Sequence, residues 1–153
     1  MSPPAPQRPG YGLDPYTVAK GYVGTREIPG KNHCGVILGW YTRLKIAVTD
    51  DETPWCSTFA NYCAAEAGYE RTGKLNARSW LEVGEKIPLK DAKVGCDVLI
   101  FERGGSSWQG HVTFYGGRKE FLILGLGGNQ RDEVNISRYS PQNLLGVRRL
   151  GKA

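Results

Sequence analysis

Cys56 and His111 are the residues whose chemistry could set the function of this 153-residue chain. A thiolate attacks carbonyls, and an imidazole can take the thiol proton and later protonate a leaving amine, so the pair points to a cysteine hydrolase. Thr53 is a good N-cap, and Pro54, with its fixed φ and missing N–H, suits a first helical position. That pattern predicts Cys56 as the third helical residue. There the unpaired N–H groups and the positive end of the helix dipole favour a thiolate, and the Cys56 backbone N–H is free to hold an oxyanion. Taken alone, Cys56 also fits a small buried hydrophobe. The run behind it, 57–67, is rich in alanine and closed by Gly68, a residue suited to a helix stop.

His111 lies 55 positions after Cys56 (111 − 56) at the start of a strand-like run. Alternation places His111, Thr113 and Tyr115 on one face and Val112 and Phe114 on the other. A base in such a position needs a third group to hold its ring. Asn129 is the first choice, because 120–126 can pair as the next strand and Gly127-Gly128 allows a close approach at its end. Gln130 is the second choice. Gly127-Gly128-Asn129-Gln130 also reads as an ordinary turn.

Trp55, Trp108 and Tyr115 are candidates for a substrate groove, although aromatic residues commonly belong to cores. Of these, Trp108, in a Gly/Ser-rich loop, is the one expected to be exposed. No metal or other cofactor is expected. The four cysteines lack Cys-x-x-Cys spacing, only His33 and His111 accompany them, and Asp50, Asp51 and Glu52 lack the glycine and ligand spacing of a calcium loop. Cys56 and Cys63 are seven residues apart, roughly 10 Å along a helix axis, which is too far for a disulfide, so all four thiols are read as reduced.

The elements that must position these groups follow from length and pattern. The chain suits one domain with a real core, and its 21 glycines and 9 prolines predict many turns. The segment 1–12 reads as a disordered tail and 13–153 as a single catalytic domain. Helices are expected over 15–23, 36–44, the cysteine segment and 76–83. Five strand-like runs follow at 97–102, 111–115, 120–126, 133–138 and 145–150, separated by Gly, Ser, Asn or Pro clusters. The fold class is therefore α+β, with N-terminal helices packed on a C-terminal antiparallel sheet of about five to six strands.

The net charge of +5 favours polyanionic partners, which include nucleic acid, acidic lipid and bacterial cell wall, without choosing among them. The basic residues are scattered, with a modest cluster at Arg138, Arg148, Arg149 and Lys152, and no basic run carries interleaved aromatics, so a nucleic-acid partner is not expected. There is no apolar run long enough to span a bilayer and no secretory signal in the first residues, which predicts a chain made in the cytoplasm without stable membrane insertion. Nothing in the sequence demands more than a monomer.

These signals occur together in the order of a known family. The chain resembles the CHAP group of cysteine, histidine-dependent amidohydrolases and peptidases, relatives of the papain-like fold, and in particular its short bacterial and phage members. The resemblance rests on Glu27-Ile28-Pro29-Gly30, Asp51-Glu52-Thr53-Pro54-Trp55-Cys56-Ser57-Thr58-Phe59, Gly110-His111-Val112-Thr113-Phe114-Tyr115 and Gly127-Gly128-Asn129-Gln130, and runs from about Val18 to Arg149. It implies Cys56 as nucleophile, His111 as base and Asn129 as the polar group that orients the histidine. Two departures stand out. Many members carry an acidic residue shortly before that asparagine, where this chain has glycines and aliphatics, and Cys96 interrupts what is usually a plain Gly-Asp turn.

The resemblance further implies hydrolysis of peptidoglycan amide bonds without a metal. An endopeptidase is favoured over an N-acetylmuramoyl-L-alanine amidase, and a phage endolysin acting in the periplasm after release is favoured as the biological setting. An injected antibacterial effector, or an inactive wall-binding or virion structural module, are the alternatives.

Overall fold

Among the described residues three short helices precede the sheet, and each has a local reason to form. The computed structural model describes residues 12–28, 34–45 and 55–153. Helix α1 (Pro15–Lys20) starts where Asp14 accepts a hydrogen bond from the Thr17 N–H at 2.7 Å, with Pro15 in the first turn. Helix α2 (Gly35–Arg43) buries Ile37, Trp40 and Tyr41, an i, i+3, i+4 stripe. Helix α3 (Cys56–Ala67) ends at Gly68, whose φ of 79° is the left-handed stop that glycine adopts without a Cβ penalty. The expected 76–83 helix is instead a 3-10 turn over Ala77–Glu82. Ser79 explains part of the difference, because its hydroxyl donates to the Asn76 carbonyl at 2.7 Å and so competes with helical pairing. The tail, apart from Gly12, and Pro29, Gly30, His33, Asp50, Asp51, Glu52, Thr53 and Pro54 lie outside the described residues.

The α+β class holds, with a six-stranded antiparallel sheet. Its strands are β1 (Glu85–Ile87), β2 (Asp97–Glu102), β3 (Gly110–Lys119), β4 (Leu122–Gln130), β5 (Glu133–Tyr139) and β6 (Leu144–Arg149), in the order β1-β6-β2-β3-β4-β5. Strand β1 had no sequence signal, since three residues are too few to show alternation; it exists because β6 pairs with it. The β3–β4 turn falls at Glu120, with φ 57°, so β4 begins later than expected and runs on to Gln130.

The β5–β6 connection bends this sheet. In a flat sheet β5 and β6 would lie four strand spacings apart, about 19 Å. Five Cα steps from Tyr139 to Leu144 span at most about 18 Å fully extended, and the 3-10 turn at Pro141–Asn143 shortens them further. The sheet must therefore curl. Phe101 on β2 and Tyr139 on β5 accordingly stack with ring centroids 4.8 Å apart, although two strands separate them in sheet order.

Each face of the sheet has its own core. Val98, Ile100, Val112, Phe114 and Leu126 pack with Trp40, Trp55, Phe59 and Trp80 from the helical side, while Leu99, Phe101, Tyr115, Ile123 and Val147 form a smaller cluster. Helix α3 is buried at every residue except Tyr62. Two of its polar members are tied down: Asn61 accepts from the Thr72 and Gly73 N–H groups at 3.0 and 2.8 Å, and Ser57 donates to the Lys74 carbonyl at 2.6 Å.

Two glycines let the end of β4 pack closely, Gly128 against the start of this helix and Gly127 against Thr113 and Gln130. A Cβ on Gly128 would lie 2.6 Å from the Trp55 ring and 2.8 Å from the Phe59 Cβ, and one on Gly127 would lie 2.8 Å from the Gln130 Oε1. Gly128→Ala is therefore expected to lower stability by about 1–3 kcal/mol, the usual cost of overpacking. Urea unfolding measures it, and an unchanged midpoint would contradict the close approach.

Candidate active site

Cys56 is the first residue of α3, with Trp55 as its cap, not the third residue behind a Thr53 cap. The first helical bond runs from the Phe59 N–H to the Trp55 carbonyl at 2.9 Å. The reason lies in Trp55 itself. Its side chain is wholly buried and its indole N–H donates to Glu27 at 2.9 Å, which anchors the chain at this point. Trp55 is thus a core residue and not part of a groove. As the first helical residue, Cys56 keeps a backbone N–H with no partner inside the helix.

The thiol is 4% exposed. Burial pushes its pKa up, but a hydrogen bond and charge from His111, the Val112 backbone N–H and the charge of Arg103 together hold it below the ordinary thiol value. Strand geometry makes the Val112 contact possible. The β3–β4 ladder runs from Lys119–Leu122 to Phe114–Leu126 and stops there, leaving the start of β3 without a β4 partner where the thiol meets it.

His111, at the start of β3, is also 4% exposed. Its Nε2 lies 3.0 Å from the Gln130 Oε1 and 3.1 Å from the Tyr139 hydroxyl, and that hydroxyl donates to the same Oε1 at 2.6 Å. The Gln130 amide is oriented by its own N–H groups, which donate to the Gly125 carbonyl at 3.2 Å and to the Asn135 carbonyl and side chain at 2.8 Å each. Oε1 therefore faces the imidazole as an acceptor, which places a proton on Nε2. Nδ1 is buried with no conventional hydrogen-bond partner, and the polarisable thiol of Cys56 is the group that acts on this side chain. With Nε2 engaged, Nδ1 is the ring nitrogen left to exchange a proton with the thiol.

The amide that reaches His111 belongs to Gln130 and not to Asn129. Successive residues of a strand point to opposite sides, and Asn129, in a left-handed conformation with φ 56°, sits at the irregularity where β4 leaves its register with β5. Asn129 lines a neighbouring cavity of about 700 Å3 that also has His111, Gln130 and Tyr139 on its wall. Tyr115 is 7% exposed in the smaller core and is absent from that wall, whereas Trp108 is 71% exposed in its loop.

Tyr139 was not foreseen. It lies 28 positions beyond His111, and only the curl of the sheet brings its ring to 5.6 Å from the imidazole. Burial pushes its hydroxyl well above the ordinary phenol value, so it stays protonated and able to donate. Gln130→Leu is expected to reduce kcat by about 10- to 100-fold, the value of one hydrogen bond to a charged group. Tyr139→Phe, which leaves the Gln130 contact in place, should cost less. Imidazole 15N shifts would report the displaced Nε2 proton in Gln130→Leu; unchanged shifts and turnover would remove Gln130 from the network.

No protein-family model matches the chain, and no curated protein sequence matches it. Solved structures do. NlpC1 from Trichomonas vaginalis aligns with a TM-score of 0.59 at 16% identity, over 90% of this chain and 44% of that one. A protein described as similar to lipoprotein, NLP/P60 family, from Staphylococcus aureus Mu50 aligns with a TM-score of 0.53 at 17% identity, over 88% of this chain and 39% of that one. The chain thus spans less than half the length of either neighbour, and the likeness is one of fold, of the papain-like α+β kind.

Proposed function

We propose that this chain is a peptidoglycan hydrolase that cleaves an amide bond of the wall peptides by a Cys-His mechanism. One observation carries the reading: a buried thiol at a helix start is held below its ordinary pKa by a histidine whose Nε2 is held by Gln130. The likeness in fold to NlpC1 and to an NLP/P60-family protein supports a cysteine peptidase, and the CHAP resemblance supplies the wall substrate.

In this reading Cys56 Sγ attacks the amide carbon, and the backbone N–H of Cys56 holds the developing oxyanion. His111 Nδ1 gives its proton to the leaving amine, then takes one from the water that hydrolyses the thioester. Gln130 and Tyr139 keep the ring in place during both transfers. The bond cut is a peptide bond of the stem or cross-bridge, in preference to the one joining muramic acid to L-Ala. The setting is that of a phage endolysin reaching the periplasm, and no helix among the described residues is long and apolar enough to cross a membrane.

The test is to incubate wild type and Cys56→Ala with purified Gram-negative sacculi and identify the released fragments, labelling new amino termini. New termini produced only by the wild type support the thiol mechanism and name the bond. Fragments that end in free muramic acid would make the enzyme an amidase. Silence from both proteins would favour a wall-binding or virion role.

A further inference from the structure

We infer that the cavity beside His111 is an anion-recognising subsite, so that the substrate is a peptide carrying a free carboxylate next to the bond to be cut. This deepens the hydrolase reading and rests on it for the word substrate. The cavity, about 700 Å3, takes Arg103 from just beyond β2, Arg131 from the β4–β5 turn and Arg138 from β5. Three separate segments thus bring a guanidinium to one hollow that has His111 on its wall.

Two other arginines hold the fold: Arg149 is bound to Asp97 at 2.8 Å and Arg43 to Glu66 at 3.0 Å. The basic cluster expected from Arg138, Arg148, Arg149 and Lys152 is accordingly divided, since Arg149 is locked to Asp97 while Arg138 faces the cavity. Arg103, Arg131 and Arg138 form no ion pair among the described residues. Two carboxylates share the cavity. Glu133 is engaged, lying 3.4 Å from Arg26 and accepting from Asn135 at 3.0 Å, which leaves Glu102 against three guanidinium groups.

A hollow with unpaired, planar, always-charged donors suits a carboxylate, which can accept two parallel N–H bonds from one arginine. Peptidoglycan stems supply such groups, since the glutamate, the diamino acid and the terminal D-alanine can each carry a free carboxyl. The neutral amidated stem is the matching competitor that this cavity would reject.

The experiment uses the full chain and two soluble muropeptides that differ only in whether the stem carboxyls are free or amidated. The wild type should cleave the free acid with a kcat/KM about tenfold higher, carried mainly in KM and shrinking as salt is raised. In an Arg131→Gln, Arg138→Gln double variant the ratio of the two substrates should fall toward one. Both side chains are exposed, so the variant should fold, which its thermal unfolding checks. A wild type indifferent to amidation, or a preference that survives in the double variant, overturns the subsite.

Calorimetry separates this from failure of the hydrolase reading. Cys56→Ala, titrated with the free-acid and amidated muropeptides, reads the subsite without turnover. Tighter binding of the free acid that disappears when Arg131→Gln and Arg138→Gln are added supports the subsite even if the wild type cuts neither compound. Equal binding of both compounds, or none, overturns it.

Discussion

Cys56→Ala should leave a folded protein whose kcat is at least about 10,000-fold below the wild type, the scale on which a nucleophile acting with its base is lost. The site has no second thiol to take over. Cys63 is buried seven residues further along α3, and burial pushes its pKa well above the ordinary value, so it is a packing group. Turnover on sacculi checks the kinetic claim, and a residual rate within tenfold of wild type would sink it.

The same substitution tests the charge state of the thiol. A thiol whose folded pKa lies below its unfolded value contributes stability that is fully present above the unfolded pKa, near 8.5, and is lost as pH falls through the folded pKa. The difference in melting temperature between wild type and Cys56→Ala should therefore increase in favour of the wild type as pH rises. A difference independent of pH would mean that the thiol is not held as a thiolate.

His111→Ala is the second large effect, expected to lower kcat by about 100- to 10,000-fold through loss of the acid and base. It should also change the reactivity of Cys56 in a direction fixed by the site. Burial of the thiol, the largest influence on its pKa, acts upward and remains in the variant, while the hydrogen bond and charge of His111 are lost and only the Val112 N–H and the Arg103 charge still act downward. The pH at which Cys56 becomes half-reactive toward iodoacetamide should therefore rise from its lowered wild-type value. The acid limb of wild-type activity should coincide with the lower value, activity falling as pH drops through it. A reactivity profile unmoved by His111→Ala would separate the two side chains and remove the basis for the mechanism.

Much of what makes these experiments possible was legible in the chain. Pro15 marks the start of α1 and Gly68 the end of α3, because helix ends are set by backbone angles and hydrogen bonds only a few residues away. A strand-like run bounded by turn residues marked β2 to its residue, and the Gly127-Gly128 pair announced a close approach, which at Gly128 is against Trp55 and Phe59. Strand β1 and the 3-10 character of Ala77–Glu82 escaped, since both depend on partners elsewhere in the chain.

At the site, the sequence by itself determined which residues could do chemistry: a thiol at a helix start, a strand histidine, and an Asn-Gln pair after two glycines. Tertiary structure alone decided which of them meet. The short Ser140–Asn143 link forces the sheet to curl, and the curl carries Tyr139 across two strands to the imidazole and gathers three arginines around one cavity. The irregularity at the end of β4 decided between Asn129 and Gln130, and the burial of Trp55 decided that it caps and packs. Sequence periodicity reports which way a residue points from its own element. Contacts between residues far apart in the chain depend on how the elements are bent and stacked, which is set by the packing of the whole domain.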